Sequence, residues 1–219
     1  MKDKISLIYK IIIVIVSGIA LYLNFKFLSF RQGIIYFTNI SNLLCFIYFL
    51  GLVTKMLAKK KETFSEFHCI TKGMVTMAIT LTFFMYNFAL RGDSVTSVFI
   101  GNELECNLVH IVVPLLVMFD YAIFSVKGHL KKSYPFIWSS ILIAYQVFVI
   151  IYVAVGGRFV NELKYPYSYM DVATLGLPKV IINMLLVYIM FILYGIMIQK
   201  IDSLIGSKRE EQKRLKNNM

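Results

Sequence analysis

Three side chains that could take part in a reaction occur inside long apolar runs of the sequence: the Thr38 hydroxyl, the His110 imidazole and the Lys179 ammonium. Polar groups at membrane depth are costly unless they face a partner or a wet cavity, which makes them functional candidates. A hydroxyl becomes a nucleophile when an adjacent base takes its proton, and histidine is the usual base because it titrates near neutrality. The combination predicts acyl-transfer chemistry, with Thr38 attacking an ester and His110 moving the proton.

Further polar side chains extend this set along helical faces. Thr38, Ser41 and Asn42 are spaced i, i+3 and i+4, so they share one face of a helix. Asn107 and His110 are spaced i, i+3 and share a face of another helix. Amide and phenol donors can stabilise an oxyanion, and a lysine at the same level can hold a substrate carboxylate. The predicted binding and oxyanion residues are Ser41, Asn42, Tyr86, Asn87, Asn107 and Lys179.

Each of these residues also has a purely structural interpretation. A threonine in a spanning helix usually bonds back to a carbonyl of the preceding turn. The His110 imidazole can join two helices by a hydrogen bond, for example to Asn42 or Asn87. Lys179 can reach toward the membrane interface or pair with Asp171.

These side chains are predicted to lie on membrane-spanning helices. The chain has 219 residues, of which 58% are hydrophobic and 16% charged, and its mean hydropathy is +0.72. A soluble domain carries about a quarter charged residues, and one soluble core of ordinary size cannot bury so large an apolar excess. The composition therefore excludes a soluble enzyme, a disordered tail and a secreted disulfide scaffold, and it predicts an integral membrane protein.

The apolar runs predict an all-α fold, a bundle of six transmembrane helices. A spanning helix needs about 20 apolar residues to cross about 30 Å of hydrocarbon. The qualifying stretches are residues 5–23, 33–54, 69–90, 104–124, 136–155 and 173–198. We expect residues 1–200 to form the transmembrane domain and residues 201–219 to form a charged cytoplasmic tail.

The basic residues predict the orientation of this bundle. With the N-terminus inside, 15 of the 23 Lys and Arg residues fall in inner segments, and the outer loops hold only Lys26, Arg31, Arg91, Arg158 and Lys164. The positive-inside rule therefore places both termini in the cytoplasm. Thr38, His110 and Lys179 then lie about 7 to 9 Å below the outer ends of three helices, at 1.5 Å per residue. We expect one polar layer in the outer leaflet, open to membrane lipids or an amphiphilic ester.

Other polar residues of the spans are assigned structural roles. Lys10 is expected to reach toward the membrane interface. Lys72 is expected to pair with Asp120, and Pro114 is expected to kink the fourth span. The cysteines lack metal-ligand spacing and are interpreted as packing residues or inert thiols, namely Cys45, Cys69 and Cys106. No metal or cofactor is expected. A nucleic-acid partner is not expected either, because the basic residues behind the net charge of +11 lie in short clusters between the spans, as in the topology of a membrane protein.

Several short motifs carry a resemblance to a known family. The motifs are Tyr36-Phe37-Thr38-Asn39-Ile40-Ser41-Asn42, His110-Ile111-Val112-Val113-Pro114, Tyr134-Pro135 and Lys164-Tyr165-Pro166-Tyr167. In this order they resemble the androgen-induced gene 1 family of six-span membrane proteins, over nearly the whole chain. The likeness is closer to small bacterial members, which implies a bacterial plasma membrane.

The resemblance implies an activity. Animal members of that family are threonine hydrolases that cleave fatty acid esters of hydroxy fatty acids. The nucleophile of the animal proteins is a threonine in a Tyr-x-Thr context, which matches Thr38. Their essential histidine precedes a proline in a later span, which matches His110. A basic residue in them occupies the place of Lys179. The histidine-to-proline spacing is one residue shorter here, and Asn39, Ser41 and Asn42 give the second span a more polar face. These departures bear on substrate identity.

Two functions from different classes are compatible with the sequence, while a purely structural or assembly role would leave the one-sided polar layer unexplained. The first, which we favour, is an intramembrane threonine-type hydrolase of lipid esters, with Thr38 as nucleophile and His110 as general base. The second is a non-enzymatic lipid-binding or small-molecule transport protein that uses the same polar pocket. The hydrolase predicts that the Thr38 hydroxyl and a His110 ring nitrogen lie within hydrogen-bond reach or one water apart.

Overall fold

The computed structural model of the chain describes residues 2–58, 65–90 and 103–217. Over these residues the regular secondary structure is helical, and six helices are long and apolar enough to cross a membrane. They are α1 (Lys2–Phe27), α2 (Phe37–Leu57), α3 (Glu66–Leu90), α4 (Glu103–Phe124), α5 (Tyr134–Ala154) and α6 (Leu177–Asn217). The predicted all-α architecture of six apolar helices is therefore confirmed.

The start of α2 differs from the prediction. A short helix, Phe30–Gly33, precedes it and is capped by Ser29, whose hydroxyl accepts the Gln32 N–H at 3.4 Å. The chain then turns, and α2 begins only at Phe37. Thr38 consequently lies in the first turn of α2.

The helix α3 is the centre of the bundle. Within its apolar window 56% of the residues are buried, against 11% for α6. The α3 helix packs on α2, α4 and α5, while α1 packs on α2 and α4, and α6 packs mainly on α5. At Gly73 of α3 a Cβ atom would collide with the fully buried indole of Trp138 on α5. This glycine therefore sets the close approach of the two helices.

Two packed regions flank α3. On one side, residues of α1, α2, α3 and α4 interdigitate, including Ile13, Phe49, Ile79 and Val113. On the other side, α3, α5 and α6 contribute Met77, Trp138, Leu142 and Phe191. The interdigitated side chains of these two regions hold the six helices together by close packing.

A buried charged triad joins α1, α3 and α4. The Lys10 ammonium lies 3.0 Å from Asp120 Oδ1 and 2.7 Å from the Ser6 hydroxyl, and the Lys72 ammonium lies 2.9 Å from Asp120 Oδ2. The predicted Lys72–Asp120 pair is confirmed. The expectation that Lys10 reaches the interface is wrong, because Lys10 is fully buried against the carboxylate of Asp120. A carboxylate in so dry a place needs cationic partners.

Both α3 and α4 contain π-helical segments. The α3 helix ends in one, Met85–Leu90, and α4 contains another, Leu108–Val112, which ends two residues before Pro114. Proline has no N–H for the carbonyl four residues back and clashes with it in an α-helix. In α4 the Val113 N–H instead bonds to the Leu108 carbonyl, five residues earlier. The distortion expected from Pro114 is thus a π turn that contains His110.

The last helix, α6, is bonded to the loop between α4 and α5. The Asp202 carboxylate of α6 accepts three backbone N–H groups of the α4–α5 loop at 2.9 to 3.1 Å, those of Gly128, His129 and Leu130. The α6 helix continues without a break through Lys200. Part of the charge count used for the orientation lies outside the described residues, namely Lys59, Lys60, Lys61 and Arg91.

Candidate functional site

Thr38 and His110 face each other between α2 and α4. The Thr38 Oγ1 atom lies 3.3 Å from His110 Nε2, and both side chains are half-buried. The predicted proximity of these two groups is therefore found. On the other side of the ring, His110 Nδ1 lies 2.9 Å from the Cys106 carbonyl oxygen. Because a carbonyl only accepts, the proton belongs on Nδ1, which leaves Nε2 with a lone pair facing the hydroxyl.

The Thr38 hydroxyl does not make the bond that threonines usually make in helices. Thr54, Thr71 and Thr80 each donate to the carbonyl four residues earlier, at 2.7 to 2.8 Å. Four residues before Thr38 lies Ile34, which precedes α2. The position of Thr38 in the first turn therefore leaves its hydroxyl available to His110.

The imidazole plane is fixed by Tyr86 of α3. The two rings stack with their centroids 4.1 Å apart and an interplanar angle of 18°. The Cys106 thiol lies 3.0 Å from the Tyr86 hydroxyl and 3.4 Å from His110 Nδ1. Tyr86 therefore holds the histidine in place. Cys106, interpreted from the sequence as a packing residue, contacts the site through both its sulfur and its carbonyl.

Ser41 and Asn42, predicted as binding or oxyanion residues, hold the backbone instead. Both are fully buried and neither lines the cavity. Asn42 Nδ2 donates to the Thr38 carbonyl at 2.8 Å and to the Val109 carbonyl at 3.0 Å, which ties α2 to the π turn of α4. The Ser41 hydroxyl lies 2.9 Å from the Thr38 carbonyl and 2.8 Å from the hydroxyl of Thr82.

Three other predicted residues do not reach the cavity. Asn87 donates to the Phe83 carbonyl at 2.8 Å, and Asn107 is exposed. The π turn begins directly after Asn107 and adds a residue to the turn, so the i, i+3 spacing does not align it with His110. Lys179 is exposed on α6, which packs on α5 rather than on α2 or α4. Nor does Lys179 pair with Asp171, which caps the Ala173 N–H at 3.0 Å.

The geometry adds Tyr167 to the site. Its phenol interacts with the side chains of Thr38 and Tyr145, and burial raises the pKa of Tyr167 above its ordinary value. The phenol is therefore neutral, its oxygen accepts from the backbone N–H groups of Phe37 and Thr38, and its O–H can donate to a group beside the threonine. The sequence signal for it was its place in the Tyr165-Pro166-Tyr167 motif, but no periodicity fixes a residue in an irregular segment.

These groups line a cavity, and an apolar cleft borders it. The cavity has a volume of about 80 Å³ and is lined by Thr38, Tyr86, His110 and Tyr167, among others. A cleft of about 550 Å³ between α3 and α6 adjoins it. Both share Leu81, Met85, Leu90 and Tyr169, and the cleft is otherwise lined largely by apolar side chains such as Phe84, Phe88, Leu186 and Met190. Its volume is within the range of ligand pockets, about 300 to 1,000 Å³.

Comparison with known proteins does not assign the chain to a family. No protein-family model, no curated protein and no solved structure matches it. Over the described residues, no group of three or more His, Cys, Asp or Glu side chains could hold a metal ion.

Proposed function

We propose that this protein is an intramembrane threonine-type hydrolase of lipid esters, with Thr38 as the nucleophile and His110 as general base and acid. The observation that carries the proposal is the 3.3 Å approach of Thr38 Oγ1 to His110 Nε2. The Cys106 carbonyl, 2.9 Å from Nδ1, has the place that a carboxylate occupies in hydrolytic triads. It selects the tautomer in which Nε2 accepts a proton.

The reaction would proceed in two halves. In the first, Nε2 of His110 takes the hydroxyl proton while Thr38 Oγ1 forms a bond to the ester carbonyl carbon. The tetrahedral intermediate collapses with loss of the alcohol, to which His110 returns the proton, and leaves an acyl-threonine. In the second, His110 takes a proton from water, the hydroxide attacks the acyl carbon, and the Thr38 oxygen leaves as the proton returns to it.

The developing oxyanion needs a donor close to Thr38. Tyr167 is the best-placed side chain, because its neutral phenol interacts with Thr38 and lines the same cavity. Donors aimed at such a charge supply about 2.7 to 4 kcal/mol each in hydrolases. The amide of Asn42 is not available, since it donates to two backbone carbonyls.

The adjacent cavity and cleft support an amphiphilic substrate. The cleft follows α3 from Thr80 to Leu90, about 15 Å at 1.5 Å per residue. This is half of the roughly 30 Å hydrocarbon core, and so about the depth of one layer of acyl chains. An acyl chain in the cleft would place its ester group at the cavity, beside Thr38.

The membrane arrangement and the family are part of the same proposal. The distribution of basic residues supports a plasma-membrane protein with both termini in the cytoplasm and the Thr38 pocket in the outer leaflet. The motifs around Thr38 and His110 support a bacterial relationship to the androgen-induced gene 1 family, whose animal members use a threonine nucleophile.

A covalent probe tests the hydrolase directly. Purified protein is treated with a lipophilic fluorophosphonate, and the labelled residue is identified by mass spectrometry. An adduct on Thr38 that is lost in Thr38→Ala and kept in Thr71→Ala is expected, because Thr71 bonds back to its own helix. Folded protein that takes no label and cleaves none of a broad panel of lipid esters would instead favour lipid binding or transport through the same pocket.

A further inference from the structure

The π turn in α4 leaves one buried carbonyl without its regular helical donor. The Val109 carbonyl would accept the N–H of residue 113 in an α-helix and that of residue 114 in a π-helix. The Val113 N–H bonds to the Leu108 carbonyl instead, and Pro114 has no N–H. Val109 is only 1% exposed, so solvent does not supply the missing donor.

The side chain of Asn42 supplies this donor from α2. Its Nδ2 atom lies 3.0 Å from the Val109 carbonyl oxygen and 2.8 Å from the Thr38 carbonyl oxygen. The amide nitrogen carries two N–H groups, so it can donate to both carbonyls at once. One side chain therefore joins the backbone of the proposed nucleophile to the residue next to the proposed base, His110.

Packing alone does not account for an asparagine at this position. Asn42 is fully buried, and its Oδ1 atom has no hydrogen-bond partner within the described part of the chain. A buried acceptor without a donor is costly, and a leucine of similar volume would carry no such acceptor. The Thr38 carbonyl also accepts the Ser41 hydroxyl at 2.9 Å, whereas the Val109 carbonyl has lost its helical donor. The more important bond of Asn42 is therefore the one to α4.

We propose that Asn42 is a positioning residue, which holds Thr38 Oγ1 and His110 Nε2 at their separation of 3.3 Å by bonding α2 to the π turn of α4. The inference rests on the proposed hydrolase for its link to the reaction, while the bond itself is a property of the fold. Asn42 does not line the cavity, so it acts through the backbone and not on the substrate. Its loss should lower kcat and leave KM nearly unchanged.

Asn42→Leu tests this role in the reaction, because it removes both donors and keeps a similar volume. A displacement of about 1 Å can cost about 100-fold in rate, so we expect kcat to fall at least about tenfold, with KM within about twofold of wild type. Gln146→Leu is the matched control. The Gln146 amide also bonds a carbonyl of a neighbouring helix, that of Met184 at 3.3 Å, and Gln146 lines neither the cavity nor the cleft. A wild-type kcat in Asn42→Leu, or an equal fall in both variants, would overturn the inference.

The Pro114→Ala background tests whether Asn42 serves the carbonyl that the proline leaves without a donor. In an α-helical register the Val113 N–H bonds to Val109, so the bond from Asn42 is needed less. We expect Asn42→Leu to lower the unfolding temperature by about 4 to 8 °C in the wild-type background, and by less than half as much in Pro114→Ala. Equal losses in the two backgrounds would contradict the assignment.

The nitrogen signal of His110 reports the contact without any reaction. The protein is labelled with ¹⁵N-histidine, and the His110 Nε2 signal is assigned by its loss in His110→Gln. Thr38→Val removes the hydroxyl and so defines the chemical shift of Nε2 without this hydrogen bond. Asn42→Leu is expected to move the signal at least halfway to that value, and Gln146→Leu to leave it in place. An unmoved signal in Asn42→Leu would refute the positioning role.

These measurements separate the inference from the hydrolase itself. A moved Nε2 signal and a loss of stability that depends on Pro114, with no ester cleaved by the wild-type protein, would support the role of Asn42 and remove the hydrolase. Ester cleavage by the wild-type protein, with an unmoved signal and a wild-type kcat in Asn42→Leu, would do the reverse.

Discussion

Tyr86 and His110 stack face to face where two π-helical segments meet, with ring centroids 4.1 Å apart. Tyr86 belongs to the segment that ends α3, and His110 to the segment before Pro114 in α4. π-helical turns are rare, and they occur frequently at functional sites. Here the two turns, together with the Cys106 carbonyl, set both the plane and the tautomer of the imidazole that Thr38 faces.

Replacing Pro114 tests whether the π turn positions His110. Pro114→Ala supplies an N–H that can bond to the carbonyl of His110 and so favours the α-helical register. Because a displacement of about 1 Å can cost about 100-fold in rate, we expect kcat to fall about 10- to 100-fold. The unfolding temperature should be unchanged or higher. Ester hydrolysis and thermal unfolding in detergent measure the two effects.

Pro135→Ala serves as the control for that variant. Pro135 lies in the first turn of α5, where a missing N–H costs no helical bond. Its kcat should equal that of the wild type. If Pro114→Ala also keeps wild-type kcat, the π turn has no part in positioning the histidine.

Tyr167→Phe tests the proposed oxyanion donor. The substitution removes one hydroxyl beside Thr38 and keeps the ring, so packing should persist. We expect kcat to fall about 100- to 1,000-fold while KM and the unfolding temperature stay near wild type. Tyr165→Phe is the matched control, since Tyr165 belongs to the same segment and does not line the cavity. A similar small loss in both variants would remove Tyr167 from the reaction.

Met190→Trp tests the cleft as the site of the acyl chain. Met190 lines the cleft from α6, and a larger side chain there narrows the space between α3 and α6. We expect kcat/KM for long-chain esters to fall at least about tenfold, with little change for short-chain esters. Leu185→Trp provides the control, because Leu185 is exposed on α6 outside the cleft. A uniform loss over all chain lengths would argue against this role of the cleft.

The sequence predicts the level of a side chain along its helix better than the direction in which that side chain projects from the helix axis. Length and hydropathy identify six helices, and a rise of 1.5 Å per residue places Thr38 and His110 at one level, where the structure brings them into contact. The same reasoning places Lys179 at that level, yet α6 packs away from α2 and α4. Equal depth does not specify rotation about a helix axis or which helices are neighbours.

The wrong predictions for Asn107 and Lys10, and the failure to identify Tyr167 from the sequence, have identifiable physical reasons. Asn107 loses its alignment with His110 because the π turn changes the number of residues per turn, and periodicity assumes the α-helical value. Tyr167 lies in an irregular segment with no period. Lys10 and Asp120 are 110 residues apart, so their contact depends on the packing of α1 against α4.

The buried triad gives a prediction about stability that is independent of the reaction. Asp120 is fully buried between the ammonium groups of Lys10 and Lys72. Asp120→Asn leaves both lysines without a counter-charge and should lower the free energy of unfolding by about 3 to 5 kcal/mol. Lys10→Met instead leaves one neutral Lys72–Asp120 pair and conserves volume, so a loss below about 1.5 kcal/mol is expected.

Equilibrium unfolding in detergent measures this asymmetry between the two variants. Since none of the three residues lines the cavity or the cleft, the activity per folded molecule should be unchanged in both. Equal losses of stability would mean that unpaired lysines at this place are well solvated, and that the carboxylate does not serve to neutralise them. The expected order, with Asp120→Asn far less stable than Lys10→Met, follows because one substitution leaves a net buried charge and the other removes it.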